Sequence, residues 1–246
     1  MRILFFVITL NFFSAGVFAV RPFITDDARV VGYRLAQYEG WTRFDRFGGE
    51  FWSMVAYGPN RFLELSLGGV TGYELHQNKR PDFTAAAPLV QAKFLFNEYS
   101  DGKPPGFGLV AGTFLPYGFG ELRPSGYGSF AFATISQCIG KNENVLIHAN
   151  VGANFVDFKD NNSLVYTWGY GTQIKAYKGF HLVAEHFSGD PYVPGTGMAI
   201  QVGFRHFFSD NFQIDGTYGK GISGEFVLPH WFSFGVRIVT EKFYKK

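Results

Sequence analysis

Apolar and polar residues alternate along most of the chain beyond residue 32. In "NVLIHANVGANFVDF", Ile147, Ala149, Val151, Ala153 and Phe155 share one parity, and His148, Asn150, Gly152 and Asn154 the other. "SLVYTWGYGTQIK" sets Leu164, Tyr166, Trp168 and Tyr170 against Thr167, Gly169, Gly171, Gln173 and Lys175. Similar alternation runs through "GMAIQVGFR", "NFQIDGTYGKG" and "WFSFGVRI", and more softly through "AQYEGWTRF", "FLELSLGG" and "LVQAKFLFN". Side chains of a strand point alternately to its two faces, so each segment predicts a strand with one greasy and one polar or small face. "GFGLVAGTF" and "FAFATIS" are apolar or small on both faces, so parity alone leaves their orientation open.

Cutting at turn signals predicts strands over 33–45, 49–58, 61–76, 86–98, 105–117, 126–138, 143–157, 163–176, 179–188, 196–208, 211–221 and 230–243. Their length, about ten residues or slightly more, is that of a tilted membrane-spanning strand, and their number is even. "PN", "GKNE", "KG" and "SDN" read as tight turns, alternating with the longer "NKRPDFT", "GFGELRPSG", "SGDPYVPG" and "ISGEFVLPH". Short "FGG" and "KDNN" and long "SDGKP" break that alternation of lengths.

The competing architecture is a soluble β-sandwich or lipocalin-like barrel, with the apolar faces packed inward. Two features favour the membrane. The polar faces are rich in Gly, Ser, Asn and Gln, whereas a soluble surface carries many Lys and Glu. Trp41, Phe44, Tyr57, Tyr117, Tyr177, Phe208 and Trp231 sit near strand ends, where interfacial aromatic girdles belong. The expected fold is therefore all-β: a transmembrane antiparallel outer-membrane barrel of about twelve strands, with short periplasmic turns.

Composition agrees. The 246 residues include 31 Gly, 30 Phe and 13 Tyr, which together oppose helix and favour strands. A formal charge of +2 offers no electrostatic case for nucleic acid. Residues 1–19 read as a signal peptide: Arg2, the apolar run "ILFFVITLNFF", and Val17 and Ala19 at the small-residue cleavage positions. The chain then divides into a segment over 20–32, at the periplasmic mouth, and the barrel over 33–246. A single cysteine, Cys138, excludes an intramolecular disulfide framework and reads as a small apolar filler. The location expected is the outer membrane of a Gram-negative-type cell, with outer-membrane lipid and the barrel assembly machinery as partners. Phe243 is the candidate terminal aromatic that this machinery reads, but its parity opposes Phe232 and Phe234. A bulge, or a strand ending before Phe243, resolves the conflict.

In a closed barrel the polar face is the lining. It carries Glu39, Glu64, Glu185 and Asp215 with Arg43, Lys93, Lys175, Arg205 and Arg237, beside His148 and Asn150. The signs nearly balance, which argues against strong ion selectivity. The plain reading is a salt-bridged lumen bracing a narrow barrel. The sharper one is a selectivity lining for a polar or aromatic solute. No catalytic site is expected: His148, His181 and His186 have no spacing that brings a nucleophile to them, and no cofactor motif or zinc spacing occurs.

"RPFITDDARVVG" at 21–32 precedes the first strand. It resembles the opening of mature chains in the MetA-pathway of phenol degradation family, which begin Arg-Pro-x-x-Thr-Asp-Asp-Ala. Here those positions are Arg21, Pro22, Thr25, Asp26, Asp27 and Ala28, followed by Gly32. The resemblance implies an outer-membrane channel passing small aromatic or hydrophobic solutes by passive diffusion. A structural or surface-interaction barrel with a filled lumen is the alternative, and a barrel enzyme acting on lipid or peptide the third class. Two adjacent carboxylates supply too few oxygens for a metal ion. Asp26 and Asp27 are instead expected to tether the segment as a turn or plug by pairing with inward arginines, Arg43 or Arg237.

Overall fold

The computed structural model describes residues 23–76, 81–140, 144–158, 161–190, 193–224 and 227–240. The strands are β1 (Ala36–Asp45), β2 (Gly48–Tyr57), β3 (Leu63–Glu74), β4 (Asp82–Asn97), β5 (Gly106–Phe114), β6 (Gly118–Phe119), β7 (Gly128–Ile139), β8 (Val145–Phe158), β9 (Asn161–Tyr177), β10 (Phe180–Asp190), β11 (Val193–Ser209), β12 (Phe212–Ser223) and β13 (Trp231–Val239). All the pairings are antiparallel, and β1 pairs with β13 from Gln37↔Val239 to Asp45↔Trp231. That pairing, with β3–β4, closes twelve long strands into a barrel and leaves no edge exposed. The two-residue β6 pairs with Ala85 and Ala86 of β4 as part of a rim loop.

Each of the twelve long strands overlaps one predicted span. Lengths differ mainly around "SGDPYVPG": β10 and β11 extend to Asp190 and Val193, so the expected long loop is largely strand. β13 ends at Val239, and Phe243 lies outside the described residues. Both ends of the described chain lie at one mouth, called here the terminal mouth. The opposite, loop mouth carries the 115–127 and 224–230 connections.

The outer wall is a continuous apolar band, including Phe51, Leu67, Phe94, Val151 and Phe234, all exposed. Such a surface suits lipid and not water. Two residues assigned to the aromatic girdle are corrected. Trp41 and Trp231 are buried inside, because they share parity with Glu39 and with Ser233 and Arg237. Phe44, Tyr57, Tyr117, Tyr177 and Phe208 do face outward.

The strands of open orientation also resolve. Phe130, Phe132, Thr134 and Ser136 of β7 point inward, as do Val110 and Phe114 of β5. The lumen therefore has two tiers. Toward the loop mouth Trp41, Trp52, Leu89, Phe114, Phe130 and Phe132 form an apolar core. Trp41 and Trp52 stack at 5.6 Å and 3°. Toward the terminal mouth the lining is charged and polar.

Candidate functional site

The polar tier is occupied by the chain's own N-terminal segment. Phe23, Thr25, Asp26, Asp27, Ala28 and Val31 are all buried. At the rim, residues 32–35 turn the chain into β1, with Arg34 N–H donating to Gly58 O at 2.7 Å and Leu35 N–H to Gly32 O at 3.3 Å. The segment runs across the lumen from β3 to β10. At one end Val31 N–H donates to Glu64 Oε2 at 2.7 Å. At the other, Ile24 N–H donates to Glu185 Oε2 at 3.0 Å and Thr25 N–H donates to Glu185 Oε1. Gln201 Nε2 donates to that carboxylate at 2.5 Å, and Gln201 Oε1 accepts from Thr217 Oγ1 at 3.1 Å.

Between these anchors, Ala28 N–H donates to Ser136 Oγ at 2.8 Å, and Ser136 shares a 2.9 Å hydrogen bond with His148 Nδ1. Thr134 Oγ1 donates to Asp26 O at 2.6 Å. The Asn150 carboxamide, turned so that its nitrogen meets Asp26 O at 2.8 Å and its oxygen Asp26 N–H at 2.7 Å, pairs both backbone groups of that residue. A segment outside regular structure must satisfy its backbone this way when buried.

Lys93 is the cation that the two aspartates share. Its Nζ donates to Asp26 Oδ1 at 2.6 Å and to Asp27 Oδ1 at 3.5 Å, with all three side chains buried. Tyr99 OH donates to Asp27 Oδ2 at 3.4 Å, and the Arg29 guanidinium lies 4.1 Å from the Tyr99 ring centre. The expected partners are thus corrected. Arg43 lies near the loop-mouth end of β1, its guanidinium 4.9 Å from the Trp231 ring centre. Arg237 Nε donates to Gln37 Oε1 at 2.8 Å, and Gln37 Nε2 to Glu39 Oε1 at 3.0 Å. The segment bends at Ile24, Thr25 and Ala28, which lets adjacent carboxylates reach one ammonium; an extended pair would diverge.

Glu39, Glu64, Lys93, His148, Glu185, Arg205, Asp215 and Arg237 are all buried in the lumen, with Asn150 partly so. Arg205 Nη1 donates to Gln173 Oε1 at 2.7 Å, and its guanidinium lies 5.6 Å from the Phe23 ring centre. Gln213 Nε2 donates to Asp215 Oδ2 at 3.4 Å. Lys175 is a correction: it is exposed, because it sits beside the 178–179 hairpin at the rim, where a long side chain reaches water. Arg21 and Pro22 lie outside the described residues.

Parity reading passed over the glycines that seat the segment. A Cβ at Gly169 would lie 2.2 Å from Thr25 Cγ2; one at Gly171 would lie 2.9 Å from Thr25 Oγ1 and 3.0 Å from the Phe23 ring. The inward glycines of "WGYGT" thus leave room for a second piece of chain. Among the described residues, no three His, Cys, Asp or Glu side chains converge so as to hold a metal ion.

Burial pushes the Asp26 carboxyl up to about 7, with Lys93 pulling against it and the Asp27 charge adding to the rise. Burial acts on Asp27 too, but there Lys93, His148, Arg29 and Arg205 outweigh it and hold the carboxyl below its ordinary range. Seated, Asp26 keeps a proton that it would lose in water between the ordinary carboxylate range and about 7. The seated form is therefore favoured at the acid end of that window and weakened as pH rises through about 7. Ion conductance across a planar bilayer should rise from pH 5.5 to pH 8, by at most about tenfold per pH unit. Asp26→Asn should flatten the profile; an unchanged slope in that variant would rule Asp26 out as its source.

A closed antiparallel barrel with a lipid-facing apolar band, its lumen crossed by the N-terminal segment, defines a barrel of the outer-membrane class. The chain belongs to the family described as "Putative MetA-pathway of phenol degradation", whose model matches residues 19–225. No curated protein matches it. The fold is similar to that of the COG4313 outer membrane channel from Pseudomonas putida F1, at a TM-score of 0.56 and 11% identity over 84% of this chain and 94% of that one. It is also similar to the NanC porin, at a TM-score of 0.55 and 11% identity over 82% and 98%.

Proposed function

We propose that the protein is an outer-membrane channel through which small aromatic or hydrophobic solutes diffuse passively, with residues 20–32 acting as a plug after removal of a signal peptide over 1–19. The observation that carries this reading is the two-tier lumen: an aromatic tier that suits apolar rings, above a polar tier narrowed by a tethered segment. Membership of a phenol-degradation family and folds shared with a channel and a porin are consistent with it. In the outer-membrane orientation the terminal mouth faces the periplasm. The polar tier carries charges of both signs, so it is not expected to select strongly by the sign of a solute's charge.

The filled-lumen alternative draws on the same segment, which leaves little open space beside it. The enzyme reading draws on Ser136 and His148. Both are buried, and the Ser136 hydroxyl already accepts the Ala28 N–H, so the contact serves to hold the segment. Proteoliposomes loaded with the protein, and with a variant lacking residues 21–29, separate the classes. Phenol-sized neutral solutes should permeate the parent slowly and the variant several-fold faster. If neither vesicle is more permeable than lipid alone while both barrels show heat-modifiable mobility, the lumen is structural.

A further inference from the structure

The loop mouth holds a cavity of about 340 Å³ above the aromatic tier. That volume is at the small end of ligand pockets, suited to a single-ring molecule. Its apolar walls include Phe47 and Leu122. Leu122 is fixed there because its N–H donates to Thr84 Oγ1 at 2.7 Å, while Thr84 donates to Phe119 O at 3.0 Å. It also packs against the cluster that contains the Trp41–Trp52 stack, so the cavity leads straight onto that tier.

The charges around the cavity are uneven. Arg43 and Glu50 are register partners across β1 and β2. They form no ion pair, because the Arg43 guanidinium turns to the Trp231 ring. Asp45 is committed to the turn through one oxygen, its Oδ1 accepting from Phe47 N–H at 2.6 Å and Gly48 N–H at 3.2 Å. Glu50 accepts from Trp52 Nε1 at 2.9 Å through one oxygen, Oε2. Glu74 has His76 Nε2 at 3.8 Å, and that histidine lies closer to Asp82, at 3.2 Å. Besides the turn-bound Asp45, the Glu50 and Glu74 carboxylates thus retain acceptor capacity at the cavity, Glu50 resting on an indole at the edge of the aromatic tier.

We propose that this vestibule is the solute-selecting site of the barrel. Glu50 and Glu74 make it prefer single-ring aromatic molecules bearing a hydrogen-bond donor or a positive charge over aromatic carboxylates. The ring packs toward Leu122 and the donor group reaches a carboxylate oxygen; an aryl carboxylate meets like charge in a partly closed space. The inference rests on the channel reading for its purpose, but it concerns binding and is tested by binding.

Equilibrium binding of benzylamine, phenol and benzoate to the purified full-length barrel in a zwitterionic detergent, followed by ligand-observed magnetic resonance, gives the test. Benzylamine should bind on the order of tenfold tighter than benzoate at low salt, with the ratio shrinking toward one at high salt. Phenol should fall between them. The double variant Glu50→Gln, Glu74→Gln should lose most of that ratio, and Arg43→Gln should enlarge it. Equal affinity of the parent for benzylamine and benzoate overturns the proposal without any variant, as does a ratio retained in the double variant. Discrimination in binding without permeation through proteoliposomes leaves this site standing and removes the channel reading. Permeation without discrimination does the reverse.

Discussion

Replacing Lys93 by methionine is expected to release the N-terminal segment from the lumen with the barrel still closed. Lys93 is 2% exposed and, among the described residues, is the lysine that bridges Asp26 and Asp27, at 2.6 and 3.5 Å. Its loss leaves the adjacent buried carboxyl groups of Asp26 and Asp27, the latter ionised, without that cation. Removing one partner of a buried ion pair costs about 3–5 kcal/mol. That lowers the ratio of seated to released segment by roughly two to four orders of magnitude. The strands do not share this cost, because the barrel is closed by the β1–β13 ladder and the segment is not part of it. Two readouts follow. Conductance should rise well above the parent, and trypsin should cut after Arg29, which is packed against Tyr99 when the segment is seated. Adding Asp26→Asn and Asp27→Asn to the methionine variant should restore much of the seating, since removing both partners of an interaction costs far less than orphaning one. Parental conductance and cleavage in the methionine variant would mean that Lys93 does not hold the segment.

The second large effect is steric. Gly169→Val should expel the segment by filling its seat. Even a methyl group there would lie 2.2 Å from Thr25 Cγ2 and 3.1 Å from Phe187 Cβ. Valine is a good strand residue, so β9 keeps its pairing while the segment carries the clash. Overpacking of this kind costs about 1–3 kcal/mol, so the rise in conductance should be smaller than for the lysine variant. Thr25→Ala, which removes the clashing methyl, should partly rescue the valine variant. In a chain lacking residues 21–29, Gly169→Val should leave conductance unchanged. A rise that persists in that background would place the effect in the barrel wall.

Much of the architecture was legible in the amino-acid order. Strand parity is local: a residue two positions away shares a face whatever the remainder of the chain does. That is why His148, Glu185, Arg205, Asp215 and Arg237 could be set apart from the lipid-facing Ile147, Val202 and Phe234 before any fold was known. The twelve strands and the opening motif were legible for the same reason, since turn residues and a contiguous motif are short-range signals. At Trp41 and Trp231 two local signals conflict: aromatic character at a strand end points to the rim and parity points inward, and the fold follows parity.

What the tertiary structure alone decided is which distant residues meet. Nothing local distinguishes Lys93 from Arg43 or Arg237 as the partner of the aspartates. That choice depends on where the segment crosses the lumen, and so on barrel width and on the bends at Ile24, Thr25 and Ala28. Phe130 and Phe132 could have faced lipid; closure of the sheet, which sets one parity for every strand at once, turned them inward. The glycines at 169 and 171 carry no outward sign of their role, because a missing side chain becomes a seat only when another part of the chain arrives to fill it.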